Sequence, residues 1–460
     1  MSRTIDVSAL LEQRSLGAFN YRVVALSWLI TAFDGFDMML IGFTGPYMRD
    51  ELGFSASTLG RLISIGVFGM LLGGFLFSYI GDRIGRRATI IIAGVSFGLL
   101  TTATAFAATY PALLMVRFLD GLALGGLLPL AWALNVEFVP RRMRSTIVTI
   151  IMMGYSVGSA GAGPITNWIA PHHGWQGVYL AGGLVTLCAA LILCFQLPES
   201  IRFLVVKGRR PDRVAHLLKR IDPRLDVSAT DAFVLADEAP SASHFTVGQL
   251  FAGNLRLITP LLWAGYFASS LAIYFASSWG PSVLEALHFP RQTSALATSA
   301  SSLLGACAGL ALMRFTDRRG PRSVAVYPAF AVPLLLVLGL GFIPVGAFLP
   351  CAILATVLIS GEHFGVHSIA SVFYPSAIRA SGGGWATSVG KFGAVLGPLI
   401  GGAVLSSHLP IIRVYALLAI CPAVLFVCAL AIAAVVRRNR LTATPAQALG
   451  GRAALMDRVR

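Results

Sequence analysis

The feature that most constrains this chain is a series of apolar runs, each long enough to cross a lipid bilayer as a helix. Two examples are ATIIIAGVSFGLLTTATAFAA (88–108) and VYALLAICPAVLFVCALAIAAVV (414–436). About 20 predominantly apolar residues are needed for a helix to cross the hydrocarbon. Only 12% of the 460 residues are charged, whereas a typical soluble domain has about a quarter. The sequence therefore predicts an all-α integral membrane protein.

Hydropathy predicts twelve transmembrane helices in two six-helix halves. The twelve predicted spans are approximately 22–47, 58–80, 88–109, 112–137, 146–170, 175–197, 257–284, 293–314, 323–343, 347–372, 382–405 and 411–436. A polar segment between the sixth and seventh spans divides the chain. We therefore predict an N-terminal half (1–198), a cytoplasmic central loop (199–256) and a C-terminal half with its cytoplasmic tail (257–460).

The positive charges are distributed unevenly among the loops. They give the chain a formal net charge of +15 and concentrate in segments 81–87, 140–144, 207–220, 314–322 and 437–440. The alternate loops are nearly bare, and the exceptions are Arg49, Arg291 and Arg413. The positive-inside rule then places the basic loops and both termini in the cytoplasm. Charges dispersed over several short loops argue against nucleic-acid binding.

The two halves repeat each other locally. An offset of 235 residues relates DRIGRR at Asp82 to DRRGPR at Asp317, and the same offset relates Arg144 to Arg379 and Gly158 to Gly393. Repeats in the same register throughout indicate a duplication of a six-helix unit, which is typical of secondary transporters.

Several motifs resemble those of the major facilitator superfamily. SYIGDRIGRR (78–87) is similar to its loop signature between spans two and three, and RFLDGLALGG (117–126), EFVPRRMRS (137–145) and GAVLGPLIGG (393–402) also fit. Within that superfamily, FDGFDMMLIGFTGP (33–46) and YFASSWGPSVL (274–284) resemble the aromatic acid:proton symporters. The resemblance implies the major facilitator fold and proton-coupled uptake of benzoate-like acids.

Two aspartates, Asp34 and Asp37, interrupt the first predicted span. A carboxylate at mid-bilayer costs roughly 2.5–3.5 kcal/mol on insertion scales. The spacing of three places both on adjoining parts of one helical face, so we predict that they share a proton and carry the coupling. The alternative is that one of them pairs with a structural arginine. The resemblance also implies a coupling role for Arg117, and a structural pair between Arg117 and Asp120 is the alternative.

Substrate binding is assigned mainly to the second half. Lys391 lies about ten residues into span eleven, where an ammonium group needs an anionic partner, and we predict that the substrate carboxylate is that partner. His363 and His367 share a face of span ten at a spacing of four, with either substrate binding or hydrogen bonding within the bundle as their role. The resemblance favours Tyr274 and Trp279 as ring-stacking partners, although most membrane aromatics simply pack.

The loop signature predicts a network of ion pairs that biases the equilibrium between two conformations. Its predicted members are Asp82, Arg83, Arg86, Arg87, Glu137 and Arg144, with Asp317 and Arg318 as the counterpart in the second half.

The favoured function is a symporter of an aromatic carboxylate and protons, active as a monomer in a bacterial inner membrane. The alternative is a proton-coupled porter of sugars or aliphatic dicarboxylates on the same fold. The sequence has no nucleophile motif, phosphate-binding loop or metal-ligand spacing, so we predict no enzyme activity, cofactor or metal. It also has no sizeable domain outside the membrane, which argues against a receptor.

Overall fold

The structure is a computed structural model that describes the chain except residues 1–2, 13, 15, 208–210, 223, 229, 236–245, 254, 320, 375–377, 408 and 443–460. Within helices and turns it leaves the side chains of 317–319, 321–322, 368–373, 379–380 and 438–442 undescribed. The predicted Asp317 and Arg318 side chains therefore lie outside the described residues.

The described chain is almost entirely helical. The elements in order are β1 (Thr4–Asp6), α1 (Val7–Glu12), α2 (Ala18–Leu52), α3 (Ala56–Ile84), α4 (Arg86–Thr104), α5 (Tyr110–Glu137), α6 (Arg141–Gln196), α7 (Ile201–Val206), α8 (Pro211–Ile221), β2 (Ala232–Val234), α9 (Leu255–Ala286), α10 (Arg291–Arg319), α11 (Val326–Gly339), α12 (Val345–Phe373), α13 (Arg379–Leu405), α14 (Arg413–Leu418) and α15 (Ile420–Thr442). Two 3₁₀ helices, Val247–Phe251 and Pro321–Ala325, precede α9 and α11.

These helices supply the twelve predicted spans in the described part of the chain. Ten helical stretches are long and apolar enough to cross a membrane, and Ser323–Gly339 is a shorter apolar one. The remaining span is contained in α6, which breaks at Gly174, where φ is 64° and ψ is −178°. A left-handed φ is easily reached only by glycine, so this residue separates spans five and six. The predicted all-α fold of twelve helices is confirmed.

The turn between the first two spans shows how the sequence ends one helix and begins the next. Gly53 closes α2 with φ 66°, and Ser55 caps α3 by accepting a hydrogen bond from the amide of Thr58 at 3.1 Å. Both features satisfy backbone groups that a helix end leaves unpaired.

Two compact units make up the molecule. The first contains 1–242, 274–304 and 395–411, and the second contains 243–273, 305–394 and 412–460. The first unit thus includes the six N-terminal spans together with parts of α9, α10 and α13. The predicted division at 198 and 256 stays a prediction.

The polar segments before α2 and after α6 are structured together, which the sequence did not indicate. Strand β1 pairs in parallel with β2, with Thr4 opposite Ala232 and Asp6 opposite Val234. Apolar side chains of α1 and α8, including Leu11 and Leu218, are buried in the core of the first unit. Strands β1 and β2 and helices α1 and α8 lie at the same end of the first unit as the loops at 85 and 138–140. We call this end the basic end.

Candidate functional site

The centre of the first unit contains a buried ion cluster built on α2 and α5. The guanidinium of Arg117 donates from both Nη1 and Nη2 to Asp37 Oδ2 at 3.1 Å, and from Nη1 to Asp120 Oδ2 at 2.7 Å. Thr101 donates to both carboxylates, at 3.3 Å to Asp37 and 3.2 Å to Asp120. All three charged side chains are less than 5% exposed. Two carboxylates therefore share one guanidinium, and the cluster has a formal charge of −1 when both are ionised.

The ring of Tyr179 from the second part of α6 completes this cluster. The Arg117 guanidinium lies 5.8 Å from the ring centroid, within the range of a cation–π contact. The cluster thus fixes α2 and α5 to the part of α6 that follows Gly174. The alternative that the sequence left open, a structural pair between Arg117 and Asp120, is present, and the same guanidinium also holds Asp37.

Asp34 has a different environment from Asp37. It is 0% exposed, and neither of its carboxylate oxygens has a hydrogen-bond partner among the described residues. The phenol groups of Tyr155 and Tyr274 lie close enough to interact with it electrostatically. The carboxylates are about 60° apart around α2, so Asp37 faces α5 while Asp34 faces α6 and α9. The shared-proton pair that the spacing predicts is replaced by one paired carboxylate and one unpaired carboxylate.

A glycine beside Asp34 sets the depth of its burial. A side chain at Gly35 would collide with the backbone carbonyl of Tyr155 and with Ser159. Ser159 Oγ instead donates to the Gly35 carbonyl at 3.1 Å. Because α2 and α6 approach so closely here, the unpaired carboxylate is enclosed by protein.

The second unit gathers the predicted histidines against α9. Ser269 Oγ lies 3.0 Å from His363 Nδ1, and the ring of His367 meets the rings of His363 and Tyr266 edge-on at 4.9 Å. The backbone of Gly390 on α13 also approaches Tyr266 and Ser270. Helices α9, α12 and α13 therefore meet around Tyr266.

Lys391 follows Gly390 at this meeting point. It is partly buried and forms no ion pair with a carboxylate among the described residues. An ammonium at this depth without an anionic partner is a site for one. Lys391 on α13 thus supplies one cation, and the two histidines on α12 supply hydrogen-bonding groups.

The two predicted ring-stacking residues, both in the first unit, differ in exposure. Tyr274 is partly exposed and interacts with Asp34. Trp279 is 0% exposed and donates from Nε1 to the carbonyl of Pro398 at 3.0 Å. In this conformation Trp279 packs α9 against α13 rather than facing a cavity, and its role in binding stays a prediction.

The structure brings together part of the predicted network at the basic end. Arg86 forms an ion pair with Glu137, and the other Glu137 oxygen accepts a hydrogen bond from Ser200 at 2.5 Å. The backbone amide of Arg87 donates to Glu199 at 3.1 Å. The sequence did not single out Glu199 or Ser200 as partners.

Three predicted network members have other surroundings. Arg83 lies over the ring of Tyr79 at 4.4 Å, and Arg144 donates to the carbonyl of Val139 at 3.4 Å. Asp82 is exposed and forms no ion pair with another described residue. The gating role of the network stays a prediction.

The end of the first unit opposite the basic end is closed by contacts between the two sequence halves. Arg291 of α10 donates to Asp50 at 2.9 Å and to Glu285 at 3.0 Å, and it lies over the Tyr47 ring at 4.4 Å. We call these four residues the Arg291 clamp. A second contact is made by Ser57, whose amide donates to Ser406 Oγ at 2.9 Å. The sequence signal for the Arg291 clamp is that Arg291 is one of the few charges in the loops that otherwise lack them.

Comparisons with known proteins identify the family. The Major Facilitator Superfamily model matches residues 27–366. The gallate transporter of Pseudomonas putida is 35% identical over 445 residues, covering 96% of this chain and 97% of that protein. The 4-hydroxybenzoate transporter PcaK of the same species is 31% identical, covering 88% and 90%. The solved structure of the xylose transporter XylE from E. coli, in a partially occluded inward open conformation, matches with a TM-score of 0.70 at 16% identity, covering 90% and 98%.

Proposed function

Because this chain belongs to the major facilitator superfamily, we propose that it is a proton-coupled symporter that imports a small aromatic carboxylate by alternating access. Relatives that transport gallate and 4-hydroxybenzoate, matched along most of both chains, support the substrate class. One observation supports the coupling above all. Asp34 is enclosed and has no hydrogen-bond partner in the described part of the chain, while Asp37 three residues away is paired with Arg117.

Asp34 is the proposed proton carrier. An unpaired charge in a membrane interior is costly, so the enclosed carboxyl is neutral in this conformation. Asp37 and Asp120 share Arg117, which compensates one of their two negative charges, so this cluster needs at most one bound proton. In the proposed cycle Asp34 takes up its proton when it is open to the outside and releases it when it is open to the cytoplasm.

Lys391 is the proposed partner of the substrate carboxylate. It has no protein carboxylate to neutralise it among the described side chains. His363 and His367 then provide hydrogen bonds for polar groups elsewhere on the aromatic ring, and Tyr266 provides an aromatic surface beside them. The second unit would thus provide complementary groups for both the carboxylate and the hydroxylated ring of the substrate.

The loop charges support the orientation. By the positive-inside rule, the basic end and both termini lie in the cytoplasm of a bacterial inner membrane. The Arg291 clamp then lies on the outer side. All proposed binding and coupling residues are on one chain, so the proposed functional unit is a monomer in the lipid bilayer.

Uptake into proteoliposomes tests the proposal. Purified protein is reconstituted, a pH gradient with an alkaline interior is imposed, and uptake of labelled gallate, 4-hydroxybenzoate, benzoate, xylose and succinate is followed. We expect the wild type to accumulate at least one aromatic acid, and a protonophore to abolish the accumulation. Asp34→Asn should retain exchange of labelled for unlabelled acid but lose accumulation, because exchange needs no net proton movement.

The matched control is Asp226→Asn, which removes an exposed carboxylate in the central segment. It should behave like the wild type. Accumulation of xylose or succinate with no aromatic acid transported would overturn the substrate class. Full accumulation by Asp34→Asn would overturn the assignment of the proton carrier.

A further inference from the structure

The second unit contains a buried carboxyl group that the proposed cycle does not use. Glu362 lies on α12, next to His363, and is 0% exposed. Neither of its carboxylate oxygens has a hydrogen-bond partner among the described residues. It lies in one of the stretches long and apolar enough to cross the membrane, Val345–His367. An ionisable group in such a position marks a functional site by default.

The neighbours of Glu362 do not neutralise it. The thiol of Cys421, on α15, lies close enough to interact with it electrostatically. On its own helix, His363 points roughly 100° away and is engaged with Ser269. Where α12 passes α10 and α11, Gly361 packs on Ala308 and the ring of Tyr327, whose hydroxyl donates to the Ala308 carbonyl at 2.8 Å. No cation among the described side chains forms an ion pair with Glu362.

The separation of Glu362 from Lys391 is informative. Both belong to the second unit, yet they form no ion pair in the part of the chain that the structure describes. If Glu362 served only to neutralise Lys391, the two would pair, since each buried charge is costly without its counterpart. Instead, among the described side chains, the ammonium has no carboxylate as an ion-pair partner and the enclosed carboxyl group has no cation.

We infer that Glu362 is a second proton-binding site of the transport cycle, separate from Asp34. This inference rests on the proposed function. Among the residues that the structure describes, each unit then contains one unpaired, enclosed carboxyl group: Asp34 in the first and Glu362 in the second. In the conformation described here both carry a proton. Release from Glu362 requires the cycle to open α12 to water.

The inference has a consequence for charge movement. A monocarboxylate that enters with one proton moves no net charge, whereas entry with two protons moves one positive charge. For one net charge, a potential of about 100 mV changes equilibrium accumulation about 50-fold. Transport by the wild type should therefore respond to voltage as well as to the pH gradient.

The test uses proteoliposomes with a potassium diffusion potential set by valinomycin, and the monoanion 4-hydroxybenzoate, or benzoate if that is the acid accumulated. The wild type should accumulate about 50-fold more at about 100 mV, interior negative, than at zero potential. Glu362→Gln, which keeps the shape and removes the titrating group, should respond to the pH gradient but no longer to voltage. Glu51→Gln removes an exposed carboxylate and should respond like the wild type.

The outcomes separate this inference from the proposed function. A wild type that accumulates the acid but ignores voltage overturns the inference and leaves the symporter standing. A voltage response that persists in Glu362→Gln also overturns it. Failure of any aromatic acid to accumulate overturns the proposed function itself.

A second measurement applies if Glu362→Gln does not fold. Dicyclohexylcarbodiimide reacts with protonated carboxyl groups in apolar surroundings, so wild-type protein is treated at neutral pH and mapped by mass spectrometry. Modification at position 362 is expected. An unmodified Glu362, with Asp34 modified in the same sample, overturns the inference.

Discussion

Asp37 Oδ2 accepts a hydrogen bond from each of the two terminal nitrogens of Arg117, both at 3.1 Å. This pair is buried, and Arg117 also holds Asp120. Arg117→Met should therefore destabilise the protein by about 3–5 kcal/mol, because two buried carboxylates lose the cation that pairs with both of them. Thermal unfolding in detergent measures the effect.

The double variant Arg117→Met with Asp37→Asn serves as the control for this prediction. It removes one of the two carboxylates that Arg117→Met leaves without a cation, so it should recover part of the lost stability. Equal stability of the single and double variants would show that charge imbalance is not the cause of the destabilisation.

The Arg291 clamp should bias the protein toward the conformation with this end closed. Arg291→Gln removes two ion pairs and a cation–π contact. Exposed pairs are each worth roughly 0–1 kcal/mol, so the loss of two of them should raise the population with this end open by up to about 30-fold. Reaction of Ser57→Cys with a water-soluble maleimide should become correspondingly faster. Arg256→Gln, at the start of α9, is the control, and an unchanged rate in Arg291→Gln would exclude the clamp as a determinant.

His363 should discriminate between hydroxylated and unsubstituted acids. His363→Phe keeps a ring of similar size and removes both nitrogens, so uptake of 4-hydroxybenzoate should fall roughly tenfold, the equivalent of one hydrogen bond. Uptake of benzoate should change less than about twofold, since benzoate has no ring hydroxyl to lose a partner. His216→Phe, at an exposed position of α8, is the control. Equal losses for both acids would show that the residue acts only in packing.

Gly158 should tolerate no side chain. Its Cβ position coincides with the backbone carbonyl of Ala32, so Gly158→Ala should destabilise the protein by about 1–3 kcal/mol through overpacking of α2 against α6. Beyond its own helix backbone, no atom of the described residues lies within 4 Å of the Cβ position of Gly383. Gly383→Ala should therefore leave thermal unfolding in detergent unchanged or raise its midpoint. A stable Gly158→Ala would show that the two helices can move apart without cost.

The contact between the central segment and the N-terminal segment should weaken in acid. The Arg224 amide, followed by Arg14, lowers the pKa of Asp222 below its usual value. A depressed pKa in the folded state stabilises above the unfolded value of about 4, and the stabilisation is lost as pH falls through the folded value. The protection of α8 amides, taken as the intrinsic exchange rate divided by the measured rate at the same pH, should fall below about pH 4 in the wild type. In Asp222→Asn this protection should already be lower at neutral pH and should fall less in acid.

Length and hydropathy were sufficient to predict the twelve spans, because a helix that crosses hydrocarbon must be apolar over about 20 residues. In the structure, α6 contains both span five and span six. The break between them at Gly174 depends on a backbone angle that hydropathy does not report. The strands β1 and β2 were also missed. Strands of three residues in polar segments show no periodic hydrophobic pattern. The two strands that pair also lie about 230 residues apart in the sequence.

The residues of the candidate site could be named from the sequence, but not their partners. Charges within apolar runs are few, so Asp34, Asp37, Arg117 and Lys391 stand out. Which carboxylate pairs with Arg117 depends on the rotation of α2 against α5, which the spacing of three does not fix. Glu362 gives the same sequence signal as Asp34, an acidic residue within an apolar run, and its complete burial makes it more unusual than the neighbouring histidines.

Strand β1 can pair with β2 only after the ribosome has synthesised most of the first half of the chain. Thr4 leaves the ribosome about 230 residues before its partner Ala232. At about 5–20 residues per second, the first strand waits roughly 10–45 s while six helices enter the bilayer. The N-terminal segment is therefore available to chaperones or proteases throughout insertion of the first half, and its docking marks the moment at which that half is complete.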